Sequence, residues 1–274
     1  MESNYINDDQ LDLLLNELAS LYGYDFTGYA RSSMKRRVNR LIIVDKFTNF
    51  EALLETIKND STYFRRFVEE ITVNVTEMYR DPSTFKMIRE KVLPAIATQP
   101  FIRIWHAGCS TGEEVYSMAI MLHEANLLHK SLIYATDLSS LAIENIKQGI
   151  FPLSQIAKDT ENYLASGGKN NFSEYYTVKK DTAIFNQNLK TKIITATHNL
   201  VSDSSFNEFQ LIFCRNVLIY FNKSLQDRVL TLFDESLETL GFLILGTKEN
   251  IRFTKVAAKF SQPDNTQKIW RKIL

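Results

Sequence analysis

With 274 residues, 45% apolar and 12% aromatic, the chain can bury a substantial core in one large or two modest domains. Its 32 basic and 32 acidic residues cancel, so no global charge draws it to nucleic acid or anionic lipid, and a charged partner must be met by a local patch. No apolar run approaches the roughly 20 residues that cross a bilayer, so membrane insertion is not expected.

The opening MESNYINDDQ is acidic and unlike a signal peptide, and Cys109 and Cys214 lie far apart without zinc-site spacing. A reducing cytoplasm is the economical location. From Asp8 to about Phe85, apolar residues return every three or four positions through LDLLLNELASLYG, SSMKRRVNRLIIV, NFEALLETIKND and STYFRRFVEEITV, which reads as consecutive amphipathic helices. Gly23 closes the first of them. Asp81-Pro82 fits a helix start with proline just inside it.

Pro94 and Pro100 bracket a change of rhythm, so the linker is placed between about Asp81 and Pro100, separating a helical domain (1–85) from a second domain (86–274). There, strands alternate with helices: FIRIWHA, a glycine loop, EEVYSMAIMLHEA, SLIYATD and SLAIENIKQG, the pattern of a doubly wound α/β sheet. From Phe172 to Asn199, YYTVKK and AIFNQNLKTKIITATHN read as short antiparallel strands of an inserted β subdomain. The wound pattern resumes with FQLIFC, a helix from about Ser224 to Thr239, FLILG and a terminal strand KIWRKIL.

The strongest local signal is WHAGCSTGEEVYS, where a buried strand meets Gly108 to Gly112 and a helix opens on Glu113 and Glu114. Glycines admit a ligand close to the backbone. The loop lacks the third glycine of a dinucleotide fingerprint, and two acids in the first helical turn repel phosphate. They suit a ligand carrying an amino group or sulfonium and no phosphate, which describes S-adenosylmethionine. Asp137 ends the next strand, placed either to accept from ribose hydroxyls or to cap the following helix.

Three further stretches are Asn74 to Asp81 (NVTEMYRD), His198-Asn199-Leu200, and Ile212 to Phe221 (IFCRNVLIYF). With the glycine loop, in this order and over nearly the whole chain, they resemble the chemotaxis receptor methyltransferase family, often called CheR. The resemblance implies an α/β, Rossmann-like S-adenosylmethionine-dependent methyltransferase sheet with an N-terminal all-α domain and a small inserted antiparallel β subdomain. It implies transfer of methyl groups to glutamate side chains of membrane chemoreceptors, leaving S-adenosylhomocysteine, in the service of sensory adaptation. Asn74, Thr76, Arg80, Gly108, Glu113, Asp137, Asn199, Leu200, Cys214 and Arg215 would then line the cofactor pocket, and Arg80 and Tyr220 would serve catalysis. Val115 stands where the family commonly has proline, and Met78-Tyr79 replace two phenylalanines.

A glutamate carboxylate, with a reference pKa of about 4.3, needs no general base at neutral pH. The task is to align an oxygen with the methyl carbon and exclude water. Arg31, Lys35, Arg36, Arg37 and Arg40 form a basic helix face suited to the acidic methylation region of a receptor, while Met34, Val38, Leu41 and Ile42 face the core. A receptor's C-terminal tether peptide is a further partner in some members. His106, His123, His129 and His198 show no metal-ligand grouping. Competing readings are a homologue serving another receptor-like signalling system, a homologue reduced to a binding module, and a nicotinamide-dependent dehydrogenase, which leaves CRNVLIYF unexplained.

Overall fold

The computed structural model describes residues 5–72 and 76–274. Four helices come first: α1 (Asp8–Tyr22), α2 (Arg31–Val44), α3 (Phe50–Asn59) and α4 (Ser61–Ile71). Asn7 and Gln10 cap the start of α1 reciprocally, and Gly23 ends it in the left-handed region at φ 72. The helices bury one stripe each, among them Leu14, Phe67 and the expected Met34, Val38, Leu41 and Ile42, in a core of their own that Phe26 joins from the α1–α2 loop.

Helix α5 (Pro82–Met87) starts on proline as expected and runs through a π turn (Ile88–Val92) into α6 (Leu93–Ile96). The main sheet then winds through β1 (Ile102–Ala107), α7 (Glu113–Glu124), β2 (Ser131–Asp137) and α8 (Ser140–Gln148). After an insertion come β6 (Ile193–Thr197), β7 (Phe209–Cys214), α11 (Lys223–Ser236), β8 (Leu237–Leu245), β9 (Phe260–Ser261) and β10 (Ile269–Lys272). The strand order is β6-β2-β1-β7-β8-β10-β9. The first five are parallel, and β10 runs antiparallel to both neighbours.

A sheet covered on both faces favours near-continuous apolar runs, and all six residues of β7 are buried, five of them apolar and Gln210 hydrogen-bonded to Arg103 N–H and Glu238. Along β1, Ile102 and Ile104 enter the core under α7, whereas Trp105 and Ala107 enter the core under α11. Cys109 and Cys214 are divided between these two cores.

The insertion differs from its expected limits. It comprises β3 (Ile150–Pro152), α9 (Leu153–Ala165), β4 (Tyr176–Lys179), β5 (Thr182–Phe185) and the short α10 (Gln187–Lys190), with a three-stranded antiparallel sheet ordered β3-β5-β4. Ile193–Thr197, read as part of this subdomain, is instead the edge strand of the main sheet, parallel to β2. An edge strand leaves residues exposed and so alternates like a hairpin strand, which is why its side chains did not reveal its partner. The three residues of β3 are too few to show a period.

Candidate active site

Open parallel sheets present ligand crevices beyond the carboxyl ends of their strands. Here β1, β2 and β7 end beneath the helical domain, and the loops between them form one cleft. The β1–α7 loop needs its glycines for backbone reasons: Gly108 and Gly112 have φ of 73 and 102. A Cβ on Gly108 would stand 2.6 Å from Val217 Cγ2, and one on Gly112 would stand 2.6 Å from Ile146 Cγ1. The loop is therefore packed from behind while Gly108, Cys109 and Ser110 line the cleft.

Asp137 organises this loop. Its Oδ2 accepts Ser110 N–H at 2.8 Å and its Oδ1 accepts Ser139 N–H at 3.0 Å. Burial pushes its carboxyl up, opposed by these amides. It also lines the cleft, and it is not the cap of α8, because Ser139 holds that position. The hydroxyl of Ser139 takes the N-cap of α8 and pairs with Glu69 of α4, tying the helical domain to the sheet.

Glu114, rather than Glu113, stands on the cleft wall. It accepts from His106 Nδ1 at 2.9 Å and from the Arg215 guanidinium at 2.9 Å. Arg215 also donates to Asp81 Oδ2 at 2.6 Å and to the Arg80 carbonyl at 2.8 Å. Burial pushes the Glu114 carboxyl up, and the His106 bond and Arg215 charge more than offset it, leaving it below the usual range. Asp81, expected as a helix cap, makes no side-chain cap; its backbone is left-handed and its carboxylate serves Arg215. Glu113 lies beside the wall, accepts the Thr111 hydroxyl at 2.6 Å, and is pushed up to about 7 by burial.

The segment carrying Thr76 and Arg80 is held by the insertion and α7. Met78 N–H donates to Asp159 Oδ1 at 3.0 Å, Asn162 donates to the Met78 carbonyl at 3.0 Å, and Tyr79 N–H donates to Ser117 Oγ at 3.0 Å. Thr76, Arg80, Gly108, Asp137, Asn199, Leu200, Arg215 and Tyr220 all line the cleft. Cys214 does not: it is fully buried at the end of β7. Asn74 lies outside the described residues.

The helical domain closes the cleft with residues the sequence reading passed over. Tyr29, Ser33, Met34 and Ile71 line it. The Tyr29 ring meets Phe221 edge-on at 5.0 Å, Ala30 N–H donates to the Tyr220 carbonyl at 2.8 Å, and Asn222 N–H donates to the Gly28 carbonyl at 2.8 Å. Arg37, expected on the docking face, turns inward: its guanidinium lies 5.7 Å from the Tyr220 ring centroid and donates to the Glu70 carbonyl at 3.2 Å. Arg31 and Lys35 pair with Asp8 and Asp12 of α1, while Arg36 and Arg40 are exposed. His198 and Asn216 were also missed. Their Nδ1 and Oδ1 are buried on the cleft wall without a partner among the described residues. Among the described residues no group of three metal-ligating side chains occurs.

Two family models account for nearly all of this chain: the all-alpha domain of the CheR methyltransferases matches residues 9–72 and their SAM-binding domain matches residues 74–269. The chain belongs to the CheR methyltransferase family. A Pseudomonas putida protein, named provisionally as the methyltransferase Cher3, is 43% identical over 99% of this chain and 100% of its own length. The chemotaxis protein methyltransferase of Listeria innocua is 30% identical over 84% of this chain and 85% of its own. That of Salmonella typhimurium is 28% identical over 81% and 75%.

The cleft of this CheR chain suits S-adenosylmethionine. Asp137 offers a carboxylate to a diol, Leu200, Val217 and Met34 offer apolar walls, and Asn216 Oδ1 is a buried acceptor that lacks a donor among the described residues. The chain is thus an S-adenosylmethionine-dependent methyltransferase, and its helical domain lines part of the cleft.

Proposed function

We propose that this enzyme esterifies glutamate side chains in the cytoplasmic helical methylation region of membrane chemoreceptors, giving glutamyl methyl esters, and that it does so from the cytoplasm. The supporting observation is the meeting of Arg37, Arg80 and Tyr220 at one cleft beside the Asp137 loop. Two cationic side chains and a phenol suit a carboxylate nucleophile. The bound sulfonium supplies an activated methyl carbon. The protein orients the carboxylate oxygen toward that carbon, and the Tyr29–Phe221 contact with the paired backbones of Gly28 to Ala30 and Tyr220 to Asn222 keeps water from the reacting groups.

In this reading Arg80 and Tyr220 act on the reacting groups, and Asn74, Thr76, Gly108, Glu113, Asp137, Asn199, Leu200, Cys214 and Arg215 form or support the cofactor site. Exposed Arg36 and Arg40 carry the docking role, with Arg31 and Lys35 shared with α1. The functional division falls between residues 1–85 and 86–274. Strand β4, paired among the described residues with β5 alone, is an open edge on which a receptor tether peptide would add by β-augmentation. Among the described residues no helix is long and apolar enough to cross a membrane.

The test is incubation with labelled S-adenosylmethionine and receptor cytoplasmic fragments. Base-labile label on glutamate is expected; label that is absent, or that survives base, removes the proposal. Arg80→Ala and Tyr220→Phe should each lower the rate by about 100-fold, and rates within about 3-fold of wild type would remove those two assignments.

A further inference from the structure

We infer that Glu249 is a positioning residue for methyl transfer, its buried carboxylate holding the turn that presents Asn216 and Tyr220 to the cleft. The inference rests on the proposed role of Tyr220 at the reacting groups.

Glu249 lies just beyond β8 and is 4% exposed. Its Oε2 accepts Gly246 N–H at 2.6 Å and Asn216 N–H at 3.0 Å, and its Oε1 accepts Ile219 N–H at 3.3 Å. Among the described residues it has no ion-pair partner, and its hydrogen bonds come from backbone amides. A buried carboxylate without a cation is retained where its hydrogen bonds define a conformation, because replacing it leaves several amides unsatisfied together.

Two backbone features match this contact. Asn216 is left-handed at φ 62, which directs successive amides of the turn toward one point. A Cβ on Gly246 would stand 2.7 Å from Glu249 Oε2 and 2.9 Å from Asn216 N, so only glycine admits this approach. The turn is pinned at its start by Arg215 on Glu114 and Asp81, and at its end by Ala30 N–H on the Tyr220 carbonyl. In the middle, where the 3₁₀ turn Leu218–Tyr220 sets the direction of the phenol, Glu249 accepts the amides while Gln226 Nε2 donates to the Leu218 and Phe221 carbonyls at 3.0 Å each. Removing Glu249 leaves both ends anchored and the phenol misdirected.

Glu249→Gln keeps the volume but replaces one accepting oxygen with an NH₂ group. The expected result is a kcat for receptor methylation lowered by about 10- to 100-fold, with S-adenosylhomocysteine affinity changed by less than about 5-fold. In a Tyr220→Phe background the same substitution should cost less than about 3-fold more, since misdirecting an absent hydroxyl has little effect. A purely structural Glu249 would instead multiply its full cost in both backgrounds. Gly246→Ala perturbs the same contact from the strand side and should reproduce the kcat loss if the glutamine variant fails to fold. A Glu249→Gln rate within about 3-fold of wild type, or full multiplication with Tyr220→Phe, overturns the inference. Wild-type methylation, measured alongside, tests the proposed function separately.

Discussion

Removing the Arg215 guanidinium, as in Arg215→Met, should destabilise the protein strongly and in a pH-dependent way. The Arg215 side chain is 2% exposed and that of Glu114 14%, and the pair lies at 2.9 Å. Deleting one partner of a buried pair leaves the other charge uncompensated, at a cost of about 3–5 kcal/mol. For a chain of this size each kcal/mol moves the melting temperature by about 2–4 °C, so a drop of roughly 6–20 °C is expected. The pH dependence follows from Glu114, whose carboxyl is held below its usual range in the wild type. Its contribution is present above the unfolded pKa and is lost as pH falls through the lower folded value. In the variant that carboxyl moves up, so mild acid protonates it and relieves the burial cost. The melting difference should therefore narrow between pH 8 and about pH 5. A shift below about 2 °C at neutral pH, or a difference that does not narrow in acid, would refute the reasoning.

Glu113→Gln should act in the opposite sense. Glu113 is raised to about 7 by burial, so the folded protein holds a proton the unfolded chain releases, and stability declines between about pH 4.5 and 7. The glutamine variant should show a shallower decline in denaturant titrations across that window; an unchanged slope would place the titration elsewhere. Gly108→Ala forces a side chain into a left-handed residue and against Val217, and should cost at least about 1–2 kcal/mol with weaker S-adenosylhomocysteine binding by calorimetry. Arg36→Glu with Arg40→Glu should raise KM for a receptor fragment several-fold, steeply at low salt, with unchanged cofactor affinity. Equal kinetics for this double variant would remove docking from that helix face.

The helical start, the glycine loop and its acid, and the four ordered motifs were legible in the residues themselves, because each depends on local chemistry. Periodicity shows in α1 to α4, positive φ demands glycine at positions 108 and 112, and a buried parallel strand such as FQLIFC is apolar at every position but Gln210. The insertion was misjudged at both ends because strand partnership is a long-range property, and Ile193–Thr197 carries no mark of pairing with Ser131–Asp137.

The tertiary structure alone decided which polar residues face the cleft and which lie behind it. Glu113 and Glu114 are neighbours in chain, yet one approaches neutrality beside Thr111 while the other binds Arg215, 101 residues away. Arg37 and Tyr29, read as surface charge and left unread, reach the cleft because the helical domain folds over the strand ends. Local sequence determines which side chains are available and how each segment bends; the distances that turn a carboxylate into an ion pair, an anchor or a ligand arise only when distant segments pack together.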